Sequence, residues 1–336
     1  MIFPRKLKKG DTIGFVAPSS GLAKTFEYRV KRAIKWFEKQ GFKVKLGKHF
    51  WKEGYIAGEP EERAEDLNEM IRDPDVKAII SLIGGDHSIQ LVDLIDYKSF
   101  RKNPKIFSGF SDITVLHLAF YKKAKVITFY GPMVLTQFGE YPEPHEYTVK
   151  YFFKAVIDGY IGKIEPSAYT DQFLDWAIYK ETPRTEWKEN SFLWLREGEA
   201  KGKLLGGCLP SILRLAGTDY FPNFRNSILF IETPEGNKPG EPYELEKVDA
   251  DISQLKAIGI FEEIKGLIVG IPYRYTEEMK KEFYELILKR LKEYDFPILA
   301  NVNFGHTDPI ITIPYGVKAR INSEENLFEI LEKSVM

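Results

Sequence analysis

Cysteine is nearly absent from this 336-residue chain: Cys208 stands alone. One cysteine makes no internal disulfide and supplies no cysteine-rich zinc site. A surplus of either charge is missing too. The 48 Lys and Arg stand against 49 Asp and Glu, a formal net charge of -1. That balance offers no basic footprint for nucleic acid and no acidic tail. The basic stretch Arg5–Lys9 is short and reads as solvated. No apolar run approaches the roughly 18 residues of a membrane-spanning helix. None follows Met1-Ile2-Phe3-Pro4-Arg5-Lys6 either, so no secretory signal is expected there. The expected compartment is the cytoplasm, with no nucleic-acid or membrane partner. Internal repeats and low-complexity tracts are also lacking.

What is present is an ordinary globular composition, 43% hydrophobic and 29% charged. The length suits two domains, or one large one, each with a real core. The first half alternates strand-like and helix-like segments. Asp11–Ala17 reads as a strand ending in the turn Pro18-Ser19-Ser20-Gly21. Phe26–Gln40 reads as a helix with Val30, Ala33, Ile34 and Phe37 on one face. Phe42–Leu46 is a second strand and Glu62–Arg72 a second helix. Val76–Ile83 is an apolar run closed by Gly84-Gly85, as suits a strand buried on both faces. Ser88–Ile95 reads as helix, Lys105–Phe110 as strand, Ile113–Lys122 as helix and Val126–Tyr130 as strand. That rhythm predicts a doubly wound parallel sheet, with ligands beyond the carboxyl ends of its strands.

After a helix at about 145–158 the rhythm breaks. Residues 159–195 hold Trp176, Trp187 and Trp194 and read as a linker with a substrate-facing loop. A second α/β unit follows. It has a strand at Gly202–Leu205, a helix at Pro210–Ala216 and a strand at Ser227–Ile231. Helical pattern covers about 245–264, then strand Leu267–Ile271 and helix Glu277–Tyr294. Ile298–Val302 and Ile310–Ile313 close it as strands.

The sharpest local feature is Gly109-Phe110-Ser111-Asp112-Ile113-Thr114, where an apolar strand meets a helix at once. This is the layout of a nucleophile elbow, which exposes a serine hydroxyl near the backbone donors of a helix start. An elbow has glycine two places after the serine, where this chain has Ile113, so the match is partial. Ser111 or Asp112 serving only as a helix N-cap fits the same pattern. Five histidines are available as base: His49, His87, His117, His145 and His306. His306 lies in Gly305-His306-Thr307-Asp308-Pro309, a shaped loop after a strand. His117 reads as packing and His49 and His145 as surface residues, while His87 could reach a substrate. Glu232 ends an apolar strand and can orient the base, or stand partly exposed. Gly84-Gly85 lets backbone approach a ligand closely, or makes an ordinary turn. His306 and Asp308 are two apart with no third ligand evident, so no metal is expected.

Taken together, these pieces resemble the LD-carboxypeptidases, most closely their microcin C immunity branch. The resemblance runs from Gly10-Asp11-Thr12-Ile13-Gly14 through Arg63-Ala64-Glu65-Asp66-Leu67-Asn68 and Gly84-Gly85-Asp86. It continues at Gly109-Phe110-Ser111-Asp112-Ile113-Thr114, Tyr130-Gly131-Pro132-Met133 and Leu205-Gly206-Gly207. It closes at Leu229-Phe230-Ile231-Glu232, Gly305-His306-Thr307-Asp308-Pro309 and Pro314-Tyr315-Gly316. It implies a flavodoxin-like N-terminal domain over 1–160, carrying the nucleophile. A linker and substrate loop at 161–195 and a smaller α/β C-terminal domain at 196–336 follow. It implies a Ser111–His306–Glu232 triad, with the backbone N–H groups of Gly85 and Asp112 as oxyanion hole. No cofactor or metal is implied, and a homodimer is. The implied substrate is a peptidyl or aminoacyl amide, such as an aspartyl-nucleotide. The alternatives are a murein tetrapeptide losing its terminal D-alanine, or non-catalytic ligand binding on the same scaffold. Gly84 and Asp86 are expected at the substrate, with Tyr169 and Trp176 stacking on a nucleobase. Cys208 stands where the immunity branch commonly carries Asn.

Overall fold

The computed structural model describes residues 1–336. Five strands of the first half are β1 (Thr12–Val16), β2 (Lys43–Leu46), β3 (Val76–Ser81), β4 (Ile106–Gly109) and β5 (Phe129–Tyr130). They pair in parallel in the order β2-β1-β3-β4-β5, the flavodoxin-like winding. The expected doubly wound parallel sheet is therefore present. Its helices follow from patterning and caps. Helix Glu27–Lys39 buries Val30, Ala33, Trp36 and Phe37 on one stripe. Helix Pro60–Arg72 starts from proline in its first turn and from a reciprocal Glu59–Glu62 capping box.

The remaining strands are β6 (Gly162–Lys163), β7 (Leu193–Arg196), β8 (Glu199–Cys208), β9 (Ser227–Glu232), β10 (Gly266–Gly270), β11 (Ile298–Val302), β12 (Ile313–Pro314), β13 (Lys318–Asn322) and β14 (Leu327–Ile330). Eight of them form a second sheet in the order β6-β14-β13-β8-β9-β10-β11-β7. Its centre, β8 through β11, is parallel, and its flanks are antiparallel. The ninth, β12, crosses over and pairs antiparallel with β5 at the edge of the first sheet.

Several segments differ from the sequence reading, which has no β13 or β14 and begins the fifth strand at Val126 rather than Phe129. Ser88–Ile95 forms only a short 3-10 turn over Ser88–Leu91. The helical pattern at 245–264 stops at Ala257, before Gly259 at φ +78. Within Ile310–Ile313, only Ile313 joins a strand. The amides of Ile310 and Ile311 are spent on Thr148 Oγ1 and the Asn303 carbonyl instead. The stretch 161–195 is not all loop, because β6 and β7 lie in it and join the second sheet. One apolar core runs through both sheets, and the carboxyl ends of β3, β4 and β9 meet at one cleft.

Candidate active site

Ser111 follows β4 after a single extended residue, Phe110, and begins a 3-10 turn that runs into helix Thr114–Ala119. Its φ is +60, a left-handed conformation that costs a non-glycine residue about 1–2 kcal/mol. Strain of that kind persists where the surroundings over-determine it. Three contacts do so here. A Cβ on Gly109 would lie 2.8 Å from Ile113 Cγ2, so the close approach is made by a glycine before the serine, with Ile113 against it. Gly84 sits so near that a Cβ there would meet Ser111 Oγ at 3.1 Å. His117, buried on the following helix, bonds the Gly109 carbonyl through Nε2 and Thr128 through Nδ1, both at 2.9 Å. Burial pushes that histidine down to about 3, so it stays neutral and structural.

The other two residues of the expected triad come from the second sheet. Glu232 is the last residue of β9 and is 1% exposed. His306 sits in the loop after β11. Its Nδ1 lies 2.8 Å from Glu232 Oε2 and its Nε2 lies 3.1 Å from Ser111 Oγ. The carboxylate accepts only, so Nδ1 carries the proton and Nε2 is free to accept the serine's. Burial is the largest single influence and lowers the imidazolium pKa. The Glu232 charge and hydrogen bond, with the charges of Glu235 and Asp308, together outweigh it and hold His306 above its ordinary value. Gly305 makes the approach possible. At φ +103, its added Cβ would stand 2.7 Å from Glu232 Oε2.

Asp112 is wholly buried and its carboxylate is a junction. Oδ2 accepts from the Ser19 hydroxyl at 2.7 Å and the Ser88 amide at 2.9 Å. Oδ1 accepts from Arg214 Nη1 at 2.9 Å, and the same guanidinium pairs with exposed Asp86. The loops after β1, β3 and β4 are thereby held to one another and to the second half of the chain. The Gly85 amide donates to no other group of the chain.

These residues open on a cleft of about 830 Å³, whose lining includes Gly84, Gly85, Asp86, Ser111, Trp176 and His306. Trp176 is half-buried. The Arg29 guanidinium covers its ring at 4.3 Å and Phe26 meets it edge-on at 5.3 Å. Tyr169 is not brought to this cleft. Its backbone pairs with Lys188, and the ring is buried with its phenol accepting from Lys280 Nζ at 2.6 Å. It borders a different cleft, with Lys188, Tyr284 and Asn301. His87 also stays off the lining, edge-on to Tyr55. His49 and His145 are not surface residues but half-buried, His49 on Asp66 at 3.0 Å and His145 against Trp187.

Three participants went unassigned in the sequence. Tyr130 donates to Glu232 Oε1 at 2.5 Å, and its only sequence signal is a phenol ending a buried strand. Arg214 has no local signal. Arg184 lines the cleft and bridges Glu140 and Asp308, at 3.3 and 3.4 Å. Cys208 is buried beside Glu232 in the β8–β9 register. Burial, and then the Glu232 charge, push its thiol well up, so it is no nucleophile. No group of three or more His, Cys, Asp or Glu side chains is disposed to hold a metal ion. No helix is long and apolar enough to cross a membrane.

Comparison with known proteins bears on the same regions. Residues 13–131 match the LD-carboxypeptidase N-terminal domain, and residues 201–321 match the LD-carboxypeptidase C-terminal domain. The microcin C7 self-immunity protein MccF of Escherichia coli is 31% identical, over 97% of this chain and 95% of that protein. A probable murein peptide carboxypeptidase of Bacillus subtilis is 33% identical, over 96% of this chain and 92% of that protein. A solved structure of MccF in complex with aspartyl sulfamoyl adenosine superposes with a TM-score of 0.92 at 31% identity, covering 100% of both chains.

Proposed function

The chain belongs to the LD-carboxypeptidase family, a family of serine carboxypeptidases, and from that premise we propose that Ser111, His306 and Glu232 are its catalytic triad. The observation that carries this reading is the continuous hydrogen-bond chain Ser111–His306–Glu232 at the edge of the cleft. On this reading residues 1–160 and 196–336 are the two domains, and 161–195, apart from the strand residues it lends to the second sheet through β6 and β7, is linker and substrate loop.

Ser111 Oγ attacks a substrate carbonyl while His306 Nε2 takes its proton. Glu232 holds the tautomer and stabilises the imidazolium. The oxyanion falls to the amides of Gly85 and Asp112. Support for that placement is the free Gly85 amide and the packing of Gly84 against Ser111. His306 then protonates the leaving amine, and water, activated by the same imidazole, releases the acyl group.

The substrate we propose is a peptidyl or aminoacyl amide of the aspartyl-nucleotide kind, an immunity or detoxification role. Trp176 on the cleft wall supports it, since an aromatic face suits a nucleobase. A second reading is a murein tetrapeptide carboxypeptidase. It is favoured by the position of Tyr169, which leaves the cleft one aromatic short of the pair expected to stack. Purified protein given a murein tetrapeptide and aspartyl-sulfamoyl-adenosine side by side, with products followed by mass spectrometry, separates the two. Release of aspartate supports the first, release of D-alanine supports the second, and hydrolysis of neither supports a non-catalytic binding protein. The cytoplasm and a homodimer are proposed from the family resemblance.

A further inference from the structure

We infer that Tyr130 is a positioning residue of the catalytic centre, closing the Ser111–His306–Glu232 chain into a ring. This rests on the triad reading above and deepens it.

Glu232 has a side chain with no solvent exposure and two oxygens to satisfy. His306 serves Oε2, and the Tyr130 hydroxyl serves Oε1 at 2.5 Å. A buried carboxylate oxygen without a donor is costly and more basic. Charge-assisted bonds of this kind are the strong ones. The phenol oxygen also receives the Ser111 amide, at 3.4 Å. One hydroxyl therefore touches the backbone of the nucleophile and the carboxylate that orients its base. Two sheets are joined through it, since Tyr130 ends β5 and Glu232 ends β9.

The ring cannot readily turn away. It is wholly buried, with Phe230 edge-on at 5.5 Å, Phe304 at 6.2 Å, and Tyr315 at 6.5 Å. Burial first, and then the Glu232 charge, hold the phenol protonated, so it remains a donor. The geometry is thus preset before substrate arrives, which is where enzymes gain most from hydrogen bonds.

The consequence is electrostatic as well as steric. By donating to Glu232, Tyr130 takes up part of the negative charge that holds the proton on His306. Without that donor the carboxylate binds the imidazolium more tightly, and His306 stays protonated to higher pH. The other ionisable groups facing the pair are Cys208, Glu235, Asp308 and Tyr315, and the substitutions below leave all four in place.

The test is the pH profile of kcat and KM for full-length Tyr130→Phe, beside wild type and Ser111→Ala. The expected result is a fall in kcat of about 10–100-fold with KM within twofold, the scale of losing an outer partner of a functional group. The acid limb should move to higher pH. Should Tyr130→Phe not fold, Tyr130→3-fluorotyrosine keeps the ring and supplies a stronger donor, and its acid limb should move to lower pH. An acid limb unmoved in every variant that folds overturns the inference. Activity retained by Ser111→Ala overturns the triad reading instead, so the two failures are distinguishable.

Discussion

Glu232 and His306 are 74 residues apart in the chain and their side chains meet at 2.8 Å. The pair sets the pH behaviour of the site. His306 acts as base only when neutral, and the Glu232 charge raises its pKa despite burial. Activity should therefore rise with pH through a midpoint above the ordinary histidine value of about 6.5. In Glu232→Gln the raising charge is gone and burial prevails, so the midpoint should move down. The maximal rate should fall by about 10³–10⁴-fold, as for loss of the orienting carboxylate in serine proteases. Initial rates from pH 5 to about 9 measure both effects.

Gly305 permits that meeting. Gly305→Ala places a methyl group 2.7 Å from Glu232 Oε2 in a backbone conformation that disfavours it. Urea unfolding should show a loss of about 1–3 kcal/mol. Activity should fall more steeply than stability, because the displaced atom is the carboxylate itself.

Glu140 lies at the centre of a buried charge cluster that reaches the cleft. It pairs with Arg29 and Arg184, both at 3.3 Å, with side-chain exposures of 3% for Glu140 and Arg29. Glu140→Ala leaves Arg29 uncompensated, and unfolding should cost about 3–5 kcal/mol less. Arg29 also covers Trp176, so KM should rise in the same variant.

Trp176→Ala separates the two substrate readings. Loss of a base-stacking surface is worth about 1–3 kcal/mol. For aspartyl-sulfamoyl-adenosine this should appear as KM raised about tenfold or more with kcat nearly unchanged. For a murein tetrapeptide, which has no base, the change in KM should be small.

The sequence carried the first sheet well because its central strands are largely apolar runs and its edge strand β2 alternates Lys with Val and Leu, all separated by amphipathic helices. The strand–serine–helix junction at Ser111 and the strand-end carboxylate at Glu232 were legible for the same reason: each is a local event. The Tyr130–Glu232 bond was not, since it spans 102 residues and two sheets. Nor was the direction of Tyr169. Its pairing with Lys188 turns the ring to Lys280, a contact 111 residues away. The histidines show the same limit. Nothing near His49 in the sequence announces Asp66 as its partner, 17 residues on. Periodicity reads burial along one element, and these contacts are decided between elements.

The most direct test of the central claim is kcat/KM of purified Ser111→Ala on whichever of the two substrates the wild type hydrolyses. Circular dichroism and thermal unfolding establish that the variant is folded. A loss of about 10⁴–10⁶-fold in a folded protein is the predicted result. Activity within tenfold of wild type would contradict it, and with it the assignment of Ser111 as nucleophile.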